Sequence, residues 1–311
     1  RVMRAVKELG YTPNLAASSL AAAQHTRVAM IYTNPSSAYL RELLVGALRG
    51  AARTAAQLMI ESWDTYNAEA QRSAAREMSK SVAGVILPPP LCESKAVVSE
   101  FLSAGVPVVA IASGRFSQEI SCVRIDDFRA SQEITSHLIS LGHTRIGYIK
   151  GHPNQTASAR RYEGFQAAFA QAGLEIDSAL VQQGYFTYRS GLEAAEKMLA
   201  HKKPPTAIFA SNDDMAAAVV SVAHRRGLDV PRDLSVVGFD DTSAATTVWP
   251  ELTTIHQPIA SMADSAIDIL LRGIRRKDKS TRVVVDHVVA HQLCRRDSVA
   301  PPAPAKGARG D

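Results

Sequence analysis

Short, nearly all-apolar runs rich in β-branched residues alternate along this chain with longer stretches whose apolar residues recur at helical spacing. From residue 26 onward, residues 28–32, 83–87, 106–111, 145–149, 206–209 and 234–239 predict strands. Continuous apolar character of this kind belongs to strands buried on both faces of a parallel sheet. Between the first two runs, Leu40, Leu43, Leu44, Ala47, Leu48 and Ala51 recur three and four residues apart and predict a helix laying one stripe on a sheet face. Repeated β-helix-β units predict an α/β fold of doubly wound parallel sheets with right-handed crossovers, in which ligands sit beyond the carboxyl ends of strands. One set of units runs from 26 to about 125 and a second of similar length from 126 to about 254, which predicts two lobes. Residues 300–311, rich in Pro, Ala and Gly and without apolar bulk, predict a disordered tail.

Composition narrows the class without naming a chemistry. A chain of 311 residues, 46% hydrophobic, can bury two cores. Cys92, Cys122 and Cys294 are too few and too scattered for a disulfide framework or a CxxC metal knot, which points to a reducing compartment. No apolar run reaches the ~18 residues of a membrane helix, and no apolar h-region follows Arg1, so neither a membrane segment nor export is expected. Charge is uneven: residues 1–27 carry four Lys/Arg against Glu8, residues 272–296 carry eight against Asp278 and Asp286, and the body between is mildly acidic. A basic start suits contact with a polyanion and suits a solvated helix face equally well. No GxSxG or Walker A pattern occurs, and the first strand leads into Thr33-Asn34-Pro35-Ser36-Ser37, not the glycine fingerprint of a dinucleotide enzyme. His287 and His291 are four apart, but 282–290 reads as a strand and not a HExxH helix. No catalytic site, metal or cofactor is therefore expected.

Specific stretches carry a stronger signal. Val2-Met3-Arg4-Ala5-Val6-Lys7-Glu8-Leu9-Gly10-Tyr11-Thr12-Pro13-Asn14, Leu141-Gly142-His143-Thr144-Arg145-Ile146-Gly147, Arg161-Tyr162-Glu163-Gly164-Phe165 and Ala210-Ser211-Asn212-Asp213 stand in one order along the chain. Val230-Pro231-Arg232-Asp233, Val237-Gly238-Phe239-Asp240-Asp241, Leu252-Thr253-Thr254-Ile255-His256-Gln257-Pro258 and Arg296-Asp297-Ser298 follow. In content and order the set resembles the LacI/GalR family of bacterial transcriptional regulators over nearly the whole chain. The resemblance implies a two-lobed, periplasmic-binding-protein-like sensor. Its first lobe would span 26–125 plus about 256–285, and its second 126–255 plus about 286–299. It further implies a homodimer, a small-molecule effector such as a sugar, operator DNA as partner through a headpiece and hinge, no membrane, and a cytoplasmic location. Residues 1–25 resemble the end of the headpiece and the hinge helix. Lacking a recognition helix, this stretch is not expected to read an operator through the major groove. A periplasmic sugar-binding protein of a transporter remains the alternative reading.

The resemblance also implies which side chains do the work. In the hinge, Asn14 is a good N-cap, Ala17 follows on the same short helix, and Leu20 corresponds to the apolar wedge that unstacks a minor-groove step; the bland reading is an Ala-rich connector. In the cleft, Arg161 stands at the family's ligand arginine, and a guanidinium fork suits paired hydroxyls or a carboxylate. Asn212 and Asp240 follow strands, where an amide and a carboxylate can meet sugar hydroxyls, although Asn212 would also cap the next helix. Phe186 matches a ring stacked on the effector, with core packing as the competing role. Tyr39 matches the first of two aromatics after the first strand; the second position here is Leu40. Asp126 and Gln257 lie on segments crossing between the lobes, each either facing the cleft or fixing the crossing. Asp213 and Asp241 read as structural.

Overall fold

The computed structural model describes residues 26–33, 36–63, 67–276 and 283–303. The hinge residues Asn14, Ala17 and Leu20 lie outside them. The first lobe opens with β1 (Arg27–Tyr32), α1 (Ser37–Thr54), β2 (Gln57–Ser62), α2 (Ala68–Met78), β3 (Gly84–Leu87), α3 (Lys95–Ser103), β4 (Val108–Ile111) and β5 (Ser121–Arg124). The second holds α4 (Asp127–Ser140), β6 (Ile146–Lys150), α5 (Thr156–Gln171), β7 (Val181–Gln183), α6 (Tyr188–Leu199), β8 (Ala207–Ala210), α7 (Asp213–Arg225), β9 (Ser235–Val237) and α8 (Ser243–Thr247). The chain then returns through β10 (Thr254–His256) to α9 (Ile259–Arg275) and β11 (Asp286–Val288), and crosses back through β12 (Gln292–Cys294).

Six parallel strands form the first sheet in the order β11-β5-β4-β3-β1-β2, and four form the second in the order β7-β6-β8-β9. Period-two alternation assigns each buried strand residue to one of two faces. Val28, Met30, Ile86 and Val109 join Leu43 and Ala47 of α1 and Ile267 of α9, whereas Ala29, Ile31, Val85 and Val108 join Ala75 of α2 and Phe101 of α3. In the second lobe Ile146, Tyr148 and Phe209 pack with Phe165 of α5 and Ile134 of α4, and Ile149, Ile208 and Val236 pack with Met198 of α6 and Val219 of α7. Layers on both faces explain why these strands read as unbroken apolar runs.

Three departures from the sequence reading have physical causes. β11 pairs with β5 at the edge of the first sheet, so residues 286–288 belong to the first lobe, not to a second-lobe segment starting near 286. Arg124 donates to both oxygens of Asp286 at 2.8 Å and ties that edge down. Ala300, the first residue of the expected tail, is not free: its carbonyl lies 2.8 Å from His143 Nε2 and its N–H donates to Ser235 Oγ at 3.1 Å, which ties this residue to the second lobe. Finally, β2 and β7 escaped notice because both are edge strands: no residue of Gln57–Ser62 is fully buried and Val181–Gln183 is only three residues long.

The stripe on α1 is also wider than one sheet face requires. Leu43, Ala47 and Ala51 are buried, but Leu48 is 53% exposed. Against the sheet, α1 and α9 approach so closely that a Cβ at Gly46 would stand 1.9 Å from the Ala260 carbonyl oxygen. Gly46→Ala is expected to lower the unfolding free energy by about 1–3 kcal/mol, the usual cost of overpacking against backbone that cannot yield. Urea denaturation checks this, and an unchanged midpoint would show that the helices separate freely.

Candidate functional site

Side chains from both lobes converge beyond the carboxyl ends of their strands, and one guanidinium organises them. Arg161, on α5 and 5% exposed, donates from Nε to Asp127 Oδ1 at 2.7 Å and from Nη1 to the Ser211 carbonyl at 2.5 Å. Its Nη1 also lies 3.5 Å from Asp240 Oδ1. The guanidinium carbon sits 3.7 Å from the centre of the Phe239 ring and 5.7 Å from that of Phe186, so cation–π attraction adds to the ion pairs. Gln257 donates from Nε2 to Asp240 Oδ1 at 2.6 Å. Tyr39, at the start of α1 in the other lobe, is buried and feels the charges of Asp240, Arg161 and Asp127.

Asp240 holds its place under backbone strain. Its φ of +109° is a conformation that side-chain-bearing residues rarely adopt. Both of its backbone polar groups are engaged: the N–H donates to Ile255 O at 2.9 Å and the carbonyl accepts from Gln257 N at 3.2 Å. The crossing strand β10 thus fixes the carboxylate from one side. Phe186 is likewise left-handed at φ +60°, and its ring fills the space that a Cβ at Gly151 would need, 2.0 Å away.

Burial governs the titration of the cluster. Burial raises the Asp240 carboxyl to about 7, with Arg161 and the Gln257 hydrogen bond opposing it and the Asp214 and Asp127 charges adding to it. Asp127 is also raised, first by burial and against the pull of Arg161. For Arg161 burial works downward, yet Asp127 and Asp240 overcome it and the guanidinium stays charged. Burial, then Asp240, pushes the Tyr39 hydroxyl far above the ordinary phenol range.

The seven cleft candidates therefore divide. Tyr39, Arg161, Phe186, Asp240 and Gln257 are brought together. Asn212 adjoins them, but its Oδ1 caps α7 by accepting from Met215 N at 3.0 Å and its Nδ2 donates to the Phe186 carbonyl at 3.1 Å, so the amide works on the scaffold. Asp126 stays outside, contrary to its place in the candidate set: it caps α4 through Arg129 N at 3.1 Å and pairs with the Arg129 side chain. The next residue, Asp127, turns inward and takes Arg161 instead. Sequence reasoning missed two other contributors. The Ser211 carbonyl is backbone and leaves no residue-type signal, and Phe239 was visible only as a strand residue. Gln257 Oε1, beside Asp240, is a buried oxygen without a hydrogen-bond partner among the described residues. Such atoms are uncommon inside proteins and suit a ligand that brings donors.

A carboxyl raised by folding weakens the native state once pH exceeds its unfolded value, and the penalty is complete above the folded value near 7. Asp240→Asn, which cannot ionise, is expected to melt higher than the parent at pH 8 and level with it near pH 4. Calorimetric scans across that range check the sign; a constant difference would mean that Asp240 does not titrate there.

Comparisons with known proteins bear on the family and the fold. A family model described as "Periplasmic binding protein-like domain" matches residues 135–299. The HTH-type transcriptional regulator DegA of Bacillus subtilis is 33% identical over 97% of this chain and 89% of its own length. The ribose operon repressor of Escherichia coli is 31% identical over 88% of this chain and 83% of its own. Among solved structures, a complex of the transcriptional regulator CelR with cellobiose is 28% identical at a TM-score of 0.80, covering 96% of this chain and 89% of that one. A regulator from Mycobacterium smegmatis is also 28% identical, at a TM-score of 0.78 over 89% of this chain and the whole of that one. From the order of its motifs, its two-lobed architecture and these full-length matches, the chain belongs to the LacI/GalR family of ligand-responsive transcriptional regulators.

Proposed function

We propose that the cleft binds a small sugar or related polar metabolite, and that occupancy selects a lobe arrangement which sets the affinity of the full-length dimer for operator DNA. The observation carrying this reading is the Arg161–Asp127–Asp240 cluster, closed over by Tyr39 from the other lobe and edged by Gln257 Oε1, which has no hydrogen-bond partner among the described residues. A fixed fork, a carboxylate acceptor and the flat ring of Phe186 are the parts that recognise hydroxyls above an apolar sugar face. Cellobiose is held by the CelR structure, which has the same architecture. Effector and operator binding must then be coupled reciprocally through two lobe arrangements. No step here calls for an enzyme, a cofactor or a membrane, and a cytoplasmic repressor is the setting that fits. The transport alternative is not favoured, since the relatives aligned over 88–97% of the chain are regulators.

Dimerisation has surfaces to use. Val45 and Leu48 on α1 and Ile60 on the edge strand β2 are 43%, 53% and 41% exposed, and Trp249 of the second lobe is 75% exposed. Apolar groups of this size left open on both lobes suit a second copy of the chain.

Two experiments test the reading. A thermal-shift screen of carbohydrates and metabolites should find a stabilising compound, because a ligand of the native state alone raises the melting temperature. That compound should change operator affinity of the full-length protein, and Asp240→Ala should weaken its binding at least about tenfold while the fold is kept, as expected for a lost hydrogen bond to a charged group. Undiminished calorimetric affinity in Asp240→Ala would sink the assignment. Separately, Leu48→Asp should shift the sedimentation equilibrium from dimer towards monomer; an unaltered distribution would remove α1 from the interface.

A further inference from the structure

The lobes also meet through a group that no ligand role explains. Glu93, in the short 3-10 turn (Leu91–Glu93) after β3, reaches across to the start of α5. Its Oε2 accepts from the Thr156 backbone N–H at 2.8 Å and its Oε1 from the Thr156 hydroxyl at 2.5 Å. Ser113, after β4, places Oγ 3.2 Å from the same Oε1, and Arg115 donates to Glu163 of α5 at 3.2 Å. Between them, Gly114 lies so near α5 that a Cβ there would fall 2.3 Å from Ala157 N.

The recipient helix, like α8 and α9, has no side-chain cap of its own. α1, α2, α3, α4, α6 and α7 are each capped by a side chain at their own N-cap position: Ser36, Asn67, Ser94, Asp126, Thr187 and Asn212. The N-cap of α5, Gln155, makes no side-chain cap hydrogen bond. The first N–H groups of a helix have no partner within it, and a carboxylate there both accepts from them and opposes the positive end of the helix dipole. For α5 that carboxylate comes from the other lobe.

We propose that Glu93 is a positioning residue for the effector site, supplying across the cleft the N-cap that α5 lacks, so that the first turn of α5, five residues ahead of Arg161, is fixed only when the lobes are shut. The contact couples closure to the ordering of the turn that leads into Arg161, whose guanidinium is anchored within its own lobe by Asp127 and the Ser211 carbonyl. Opening exposes the first turn of α5 and loosens the element that carries the guanidinium. An effector gripping Arg161 thereby favours the closed arrangement, and closure favours the grip. This rests on the cleft being the effector site, but its first test does not.

Amide hydrogen exchange of the full chain, measured by NMR without effector, reads the cap directly. The Thr156 amide should exchange at least about tenfold more slowly in the parent than in Glu93→Ala, while Phe165 and Ala168 deeper in α5 keep their protection. Glu93→Gln, whose amide oxygen still accepts, should restore part of the difference. Gly114→Ala, which keeps Glu93 but wedges the lobes, should also expose Thr156 and serves if Glu93→Ala folds poorly. A role confined to the first lobe through Ser113 would lower the melting temperature and leave Thr156 exchange unchanged, and that result overturns the proposal. With a stabilising compound in hand, Glu93→Ala should weaken its binding about 3- to 30-fold, the range of a lost helix cap. Lost protection at Thr156 with intact effector response in Asp240→Ala would keep the cap and discard the site reading.

Discussion

A single guanidinium buried between two carboxylates is the constraint on which the rest of the cleft depends. Arg161 and Asp127 are 6% and 3% exposed at their side chains, and removing one member of such a pair leaves a buried charge uncompensated, a loss of about 3–5 kcal/mol. An apolar replacement of similar volume would suit the fold at least as well. The polar arrangement is thus explained by recognition better than by stability. Because Arg161 is anchored on one side by Asp127 and the Ser211 carbonyl, its orientation is fixed by its own lobe, and at the proposed site little ordering entropy would be left for a ligand to remove.

The neighbouring residues Asp240 and Asp241 join this site to the hinge. Asp240 looks into the cleft, whereas Asp241 accepts from Arg296 at 2.6 Å and lies 3.0 Å from His256 Nδ1, on two of the segments that cross between the lobes. Both have positive φ, so the turn that aims one carboxylate also aims the other. β10 and β12 pair antiparallel beside them, with Thr254 opposite Cys294 and His256 opposite Gln292. A small displacement of Asp240 by a ligand cannot be absorbed by this turn without reaching the crossing strands. Packed and hydrogen-bonded elements of that kind switch between arrangements more readily than they bend.

Much of this was legible in the sequence because central strands and conserved-looking turns advertise themselves by composition. Central strands are covered on both faces and so read as apolar runs; β2 and β7, at sheet edges, carry Gln, Glu and Ser and do not. Arg161 and Asp240 were legible through motif position, yet which acid would hold the arginine was not. Asp126 and Asp127 are equivalent in type, and only the path of the chain into α4 decides that the first caps the helix and the second points inward. Asn212 shows the converse limit: its residue type fits a ligand contact and a helix cap equally, and the hydrogen bonds to Met215 and Phe186 engage both ends of the amide. The exposed Leu48 was misread because a periodic stripe records apolarity and not which neighbour covers it.

Asp213 and Asp240 show how the carboxylate proposed to bind differs from a scaffold carboxylate when both are buried. Burial raises both; the Asp240 charge adds to the rise of Asp213, and the Asp214 and Asp127 charges add to that of Asp240. Asp213 accepts from Thr254 Oγ1 at 2.6 Å and from Thr242 N at 2.8 Å, with Thr242 Oγ1 at 3.3 Å, so both of its oxygens are occupied by the protein. Asp240 has one short hydrogen bond, from Gln257, and a longer contact with Arg161, both on Oδ1. Its remaining acceptor capacity lies beside a glutamine oxygen that has no partner among the described residues. A protein gains nothing in stability by desolvating an acceptor it does not satisfy, so the Gln257 oxygen, next to Asp240, is the place in the proposed site that a donor from outside the chain would fill.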